Sequence, residues 1–237
     1  MTILQRPHPG KELQKTVQGI TYDRFPVKTD RIDEGADLVQ IIKNELQESV
    51  ASGDIILVAE SVVAIAEGRS YKFDEIEYGW VAKKLARYVT KTPAGIGLGT
   101  PETMQLAINE VGVLRILFAT SVGAISKLFG FKGNFYRIAG SKVRAIDGPT
   151  SGTLPPYNGY ASLSPEDPRG FALELEKALL PAEVEVIVID ANDIGVNILG
   201  ARNREQELRG EALASDNPLG QGSEQTPVLL CKKIMQD

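Results

Sequence analysis

Two aspartates stand where an apolar run gives way to polar residues: Asp147 in Val143-Arg144-Ala145-Ile146-Asp147-Gly148-Pro149, and Asp190 in Val188-Ile189-Asp190-Ala191-Asn192-Asp193. Strand-end carboxylates brought together can hold a divalent cation against nucleotide phosphates, and the cation offsets charge that opposes nucleophilic attack. A plainer reading stays open beside it, in which Asp190 caps the following turn and Asp147 starts an Asp-Gly turn. Other chemistries have little to build on. His8, the only histidine, precedes the first recognisable element, and Cys231, the only cysteine, can form no internal disulfide. His/Cys zinc sites and Ser-His-Asp or Cys-His nucleophiles are therefore set aside. Carboxylates, lysines, arginines and amides remain, a donor set suited to hard cations such as magnesium or manganese.

The elements that must position these acids are legible in part. Leu38, Ile41, Ile42, Leu46 and Val50 recur at helical spacing over 37–52, and Gly53-Asp54 stops that helix before the apolar strand 55–59. Glu60-Ser61 follows directly on the strand end, where α/β sheets bind ligands. Helices are predicted over 80–90 and 101–110, the second with Thr100 as N-cap and Pro101 at its first position. The intervening Gly95-Ile96-Gly97-Leu98-Gly99 matches no dinucleotide or Walker fingerprint and reads as a turn. The apolar stretch 114–129 mixes helix and strand signals, and no element is assigned to it. Residues 143–146 read as a strand, and 148–165 as a long Gly/Pro-rich loop suited to a lid. Asp167-Pro168 opens a helix, 184–189 is a strand delivering Asp190, and 202–209 is a charged run read as a solvated face. A strand closes the chain at 228–231.

Composition narrows the partners. Lys plus Arg number 26 against 31 Asp plus Glu, a net charge of −5 that repels a phosphate backbone. No apolar run reaches the roughly 18–20 residues of a membrane span. Neither a nucleic-acid nor a membrane partner is expected, and cysteine usage points to a reducing compartment, the cytoplasm.

Several short motifs, taken in order, resemble the coenzyme F420:L-glutamate ligase (F420-0:gamma-glutamyl ligase) family. Asp33-Glu34-Gly35-Ala36-Asp37-Leu38 is similar to its upstream helix entry. Gly53-Asp54, the strand and Ala66-Glu67-Gly68-Arg69 resemble its Gly-Asp strand ending in Lys-Ala-Glu-Gly-Arg. Ile146-Asp147 resembles its metal motif, Leu163 to Pro168 its Leu-Pro-x-Asp-Pro helix entry, Ile189-Asp190-Ala191-Asn192 its Asp-Thr motif, and Leu219 to Thr226 its final segment.

The resemblance implies an α+β fold of mixed sheets flanked by helices, spanning 1–237 as one domain or two interlocked subdomains, and an interlocked homodimer. It implies GTP- and metal-dependent amide formation between an amino acid such as L-glutamate and a small carboxylate, through an acyl phosphate. Carried over by position, Asp147, Asp190 and Glu224 match metal ligands. Glu60, Ser61, Thr150, Gly220, Gln221 and Glu224 match nucleotide contacts. The chain departs from the pattern at Ile65, where the family has lysine, at Ala191, where it has threonine, and at Thr150, where it has asparagine. Those departures imply a changed substrate and weakened GTP binding, with a non-catalytic nucleotide- or metabolite-binding protein as the alternative.

Overall fold

The computed structural model describes residues 4–7, 9–89, 97–131, 133–150, 153–192, 195–220 and 224–234. Its strands are β1 (Gln14–Val17), β2 (Ile20–Val27), β3 (Ile55–Ala59), β4 (Ser70–Lys72), β5 (Tyr160–Ser162), β6 (Glu185–Asn192), β7 (Gly195–Gly200) and β8 (Val228–Lys233). The α-helices are α1 (Leu38–Leu46), α2 (Glu60–Ala66), α3 (Trp80–Ala86), α4 (Pro101–Val111), α5 (Val113–Leu128), α6 (Asn134–Ala139), α7 (Ser141–Arg144), α8 (Pro168–Ala178) and α9 (Arg204–Ala214). The fold is α+β, and the chain divides into two compact units, Met1–Gly68 with Pro165–Asp237, and Arg69–Ser164. The second is an insertion into the crossover that joins parallel strands β3 and β6.

The first unit holds a six-stranded mixed sheet in the order β1-β2-β8-β3-β6-β7. Gln18 and Gly19, both at positive φ (52° and 79°), make the tight turn between β1 and β2. Strand β3 is apolar throughout because it lies between β8 and β6, with Ile55 to Val58 buried. Asp54, 2 % exposed, pins its start: its carboxylate accepts from the Ala51 and Lys233 backbone N–H groups, both at 2.9 Å, and pairs with Lys232. The Gly-Asp motif thus aligns β3 with the end of β8.

Helix α1 ends at Leu46, earlier than the predicted 52, and Asp37 caps it by accepting from Gln40 N–H. Asp167 caps α8 by accepting from Gly170 N–H at 2.8 Å, with Pro168 at the first position as predicted. Strand β6 packs on α8, and Glu176, 5 % exposed, accepts from Val186 N–H and pairs with Arg202. On the other side of the sheet Ile55, Leu57, Ile187, Ile189 and Leu229 share a core with Leu213 and Ala214 of α9. The charged run 202–209 is only partly a solvated face. Gln206 is buried, and Arg209 grips Glu185 at 2.6 Å while also meeting Glu205.

The second unit packs helices α3 to α7 around Ala82, Met104, Leu106, Ile116, Ala119 and Val143, with the short β4–β5 ladder beside them. The unassigned 114–129 stretch is helix α5. Residues 143–146 are not a strand: Val143 and Ile146, three apart, are both buried, a helical spacing, and 141–144 forms α7. The segment 148–165 is not structureless either, since a 3-10 turn at Tyr157–Gly159 and strand β5 lie within it. Of Gly95 to Gly99, the first two residues, like Thr90 and Gln221, lie outside the described residues.

Among the described residues no single helix is long and apolar enough to cross a membrane. The α4–α5 pair has the length and composition jointly but is bent by 114°.

Candidate functional site

Strand register in the first unit decides which predicted residues meet. Strands β3 and β6 run parallel with Ala59 opposite Ile189, so the residues that follow, Glu60 as the chain leaves β3 and Asp190 within β6, come to the same end of the sheet. Strand β8 enters from that same end. Ala59 N–H donates to Pro227 O at 2.8 Å and Thr29 N–H to Gln225 O at 3.1 Å, which brings the Glu224–Pro227 run there. Three acids predicted from sequence, Glu60, Asp190 and Glu224, are therefore carried to one end of one sheet.

Asp190 does not end its strand, contrary to its sequence reading. Strand β6 continues to Asn192, whose Oδ1 accepts from Gly195 N–H at 3.1 Å as the chain turns into β7, and Asp190 sits opposite Asn197 in that hairpin. Sequence alone gave no sign of Asn197, because nothing in it fixed the hairpin register. Asp190 belongs to the face of Val186 and Val188, away from the α9 core. Burial raises its carboxyl pKa above the usual value, so this acid is held where water stabilises its charge poorly.

Glu60 and Ser61 follow directly on β3, as the sequence reading has it, and are the first residues of the short helix α2. Ile65, which stands at the family's lysine position, is 7 % exposed within the same helix. A lysine there would place its charge in the core of this chain, so the departure at Ile65 follows from packing. At the final segment Gly220 has φ of 84°, and its neighbour Leu219 accepts from the buried Thr226 hydroxyl at 2.7 Å. That bond ties Leu219 to the residues just before β8.

Asp147 and Thr150 belong to the second unit. Asp147 is not at a strand end: it follows α7 and forms one antiparallel bridge with Ser162, by Asp147 N–H to Ser162 O at 3.0 Å and the reverse bond at 2.9 Å. Thr150 is exposed, and its carbonyl accepts from Thr153 N–H. Among the described residues no three acidic, cysteine or histidine side chains form a cluster able to enclose a cation.

The Ala66-Glu67-Gly68-Arg69 motif works as a knot. Ala66 O accepts from Gly35 N–H, and Glu67 accepts from Glu166 N–H at 2.7 Å. Gly68, at φ 70°, passes so close to Glu34 that a Cβ would lie 2.8 Å from its carboxylate. In the second unit Arg69 donates to both oxygens of Glu110 at 2.9 and 3.0 Å and to Ser164 O. Each unit also has an open cavity of about 490 Å³, the first beside Asp37, Glu67 and Phe171, the second beside Arg69 and Glu110. None of the predicted site acids lines either cavity.

Residues 26–197 match the model of the family described as F420-0:Gamma-glutamyl ligase. The chain is also similar to a coenzyme F420:L-glutamate ligase of Methanopyrus kandleri, 27 % identical over 242 residues covering 88 % of this chain and 86 % of that protein.

Proposed function

The chain belongs to the F420-0:Gamma-glutamyl ligase family, and from that premise we propose that it joins the amine of an amino acid such as L-glutamate to the carboxylate of a small acceptor. A nucleoside triphosphate, GTP by analogy with the family, is the activating co-substrate. The observation that carries this reading is the parallel register Ala59–Ile189, after which Glu60 opens α2 and Asp190 continues β6, both at the same end of the sheet and within the matched segment. Strand C-terminal ends are where α/β sheets hold their ligands.

In this reaction an oxygen of the acceptor carboxylate attacks the terminal phosphorus, and the nucleoside diphosphate leaves. The amine then attacks the acyl carbon, a C–N bond forms, the C–O bond to phosphate breaks, and the amine gives up a proton. A divalent cation, when bound, neutralises phosphate charge. Asp190 and Glu224 would hold it. Their oxygens suit magnesium or manganese, and a cation would favour the charged form of a carboxylate that burial disfavours. Magnesium is commonly held by one or two carboxylates with phosphate oxygens and water completing the shell, so an enclosing protein cluster is not required. Ser61, exposed at the start of α2, and Gly220 would contact the nucleotide in this reading.

Incubation with GTP, manganese, L-glutamate and a deazaflavin acceptor, with orthophosphate and product followed together, tests the reading. Equal yields of phosphate and amide, dependent on all four, are expected. Saturable nucleotide binding without amide would favour the non-catalytic binding protein, and neither binding nor turnover would remove both readings.

A further inference from the structure

Most arginines of the first unit are committed to acids. Arg24, Arg31, Arg202, Arg204 and Arg209 are each paired with a carboxylate, whereas Arg169 is exposed and, among the described residues, forms no ion pair. Asp167, two residues before it, is engaged as the cap of α8. Arg169 is the second residue of α8 and precedes the buried Ala172 and Glu176 by three and seven residues, so it continues the stripe of the helix that packs on β6. The first turn of α8 also lies against β7: a Cβ on Gly200 would collide with Pro168 O and come within 3.0 Å of Arg169 N. Gly200 pairs with Val188, and Asp190 is the next residue on that face of β6, about 7 Å further toward the strand end. Helix Cα–Cβ bonds tilt toward the helix N-terminus, which for α8 is the end nearer Asp190, since Glu176 in its last turn meets Val186 instead.

We infer that Arg169 is a nucleotide-binding residue, its guanidinium holding phosphate oxygens of the triphosphate beside Asp190; the inference rests on the nucleotide use proposed above. Charge complementarity favours it. This sheet end already collects Glu60, Asp190 and Glu224, and a triphosphate adds more negative charge than one divalent cation offsets. A protein cation is therefore needed there. Arginine is charged at every working pH, and its planar fork matches phosphate oxygens bidentately. Lys28 follows β2 at the same end, but β8 and β3 separate β2 from β6. Folding does not account for Arg169 either. A cation in the first turn of a helix opposes the helix dipole, and Arg169 makes no ion pair that offsets this cost.

Calorimetric titration of the full chain with GTP and manganese, at about 0.1 M salt, tests this. Arg169→Gln is expected to weaken GTP binding about tenfold or more, as loss of a charge-assisted hydrogen bond to phosphate does, and Arg169→Lys to recover part of that loss. The ligand-free melting temperature should not fall in either variant, because the side chain is exposed and unpaired. Lys177→Gln removes the same charge from the exposed last turn of α8, about 12 Å away and beyond the Debye length of about 10 Å, so its GTP affinity should stay within about twofold of wild type. Failure of the wild-type chain to bind GTP would overturn the proposed function together with this inference. Wild-type binding that Arg169→Gln leaves within about twofold, or that Lys177→Gln weakens as much as Arg169→Gln does, would overturn this inference alone. A raised KM for L-glutamate with GTP affinity unchanged would do the same, since Arg169 would then hold a carboxylate.

Discussion

The two units invest their polar and apolar residues differently. In the first, charged groups are drawn into the fold as partners: Arg24, fully buried, is held by Asp216 at 2.5 and 2.8 Å, Asp54 by Lys232, and Arg209 by Glu185. In the second, the pairs that Arg69 and Lys142 make with Glu110 aside, charge stays largely outside, the core is rich in alanine, and large apolar side chains remain in solvent on α5. The first unit should therefore fail when a polar partner is removed, and the second should tolerate changes on its exposed apolar face. Buried charges are costly to orphan, while exposed apolar groups contribute little to folding.

The largest effect expected is on chemistry in the first unit. Asp190→Asn should lower the rate of amide formation by about 100-fold or more, as removal of a charge that supports the transition state does, with the melting temperature not lowered. Coupled phosphate release and a thermal melt on the same preparation check both parts. A folded variant with wild-type turnover would separate the strand ends from catalysis.

Next comes Ile65→Lys, which should destabilise by about 3 kcal/mol in denaturant titration, because it buries an unpaired charge in α2. Unchanged stability together with tighter nucleotide binding would mean that the family's lysine position faces ligand here after all.

Asp216→Ala should cost about 3 kcal/mol by leaving Arg24 buried without its carboxylate. The same pair sets an acid limit. Burial alone would raise the Asp216 pKa, but the hydrogen bond and charge of Arg24 outweigh it and hold the carboxyl at about 2, below its ordinary 3.8. The unfolded chain therefore binds more protons in that window. The stabilisation is complete above about pH 3.8 and is lost as the pH falls through about 2. A melting-temperature profile across that range, steep in wild type and flatter in Asp216→Ala, sharpens the contrast with the second unit.

The smallest effect belongs to the second unit. Leu114→Ser, on the exposed face of α5, should change stability by no more than about 0.5 kcal/mol in the same titration. A larger loss would show that this face is covered within the folded chain.

What the residues alone determined follows local physics. The strand 55–59 was readable because a strand buried on both faces must be apolar throughout, and the caps Thr100 and Asp167 because their side chains satisfy N–H groups within three residues. The order of short motifs was enough to indicate the family. Only the tertiary structure decided the rest. Residues 143–146 became part of a helical turn because Val143 and Ile146 face one core, a choice their local pattern left open. Asp190 fell inside a strand because the hairpin partner on β7 extends the ladder beyond it. Its neighbours Glu60 and Glu224, 130 and 34 residues away in the chain, reach the same sheet end only through the pairing of β3 with β6 and β8, which no local signal encodes. Helix α5 carries the same lesson: its composition declared it apolar, but which side would be covered depended on where the other helices packed.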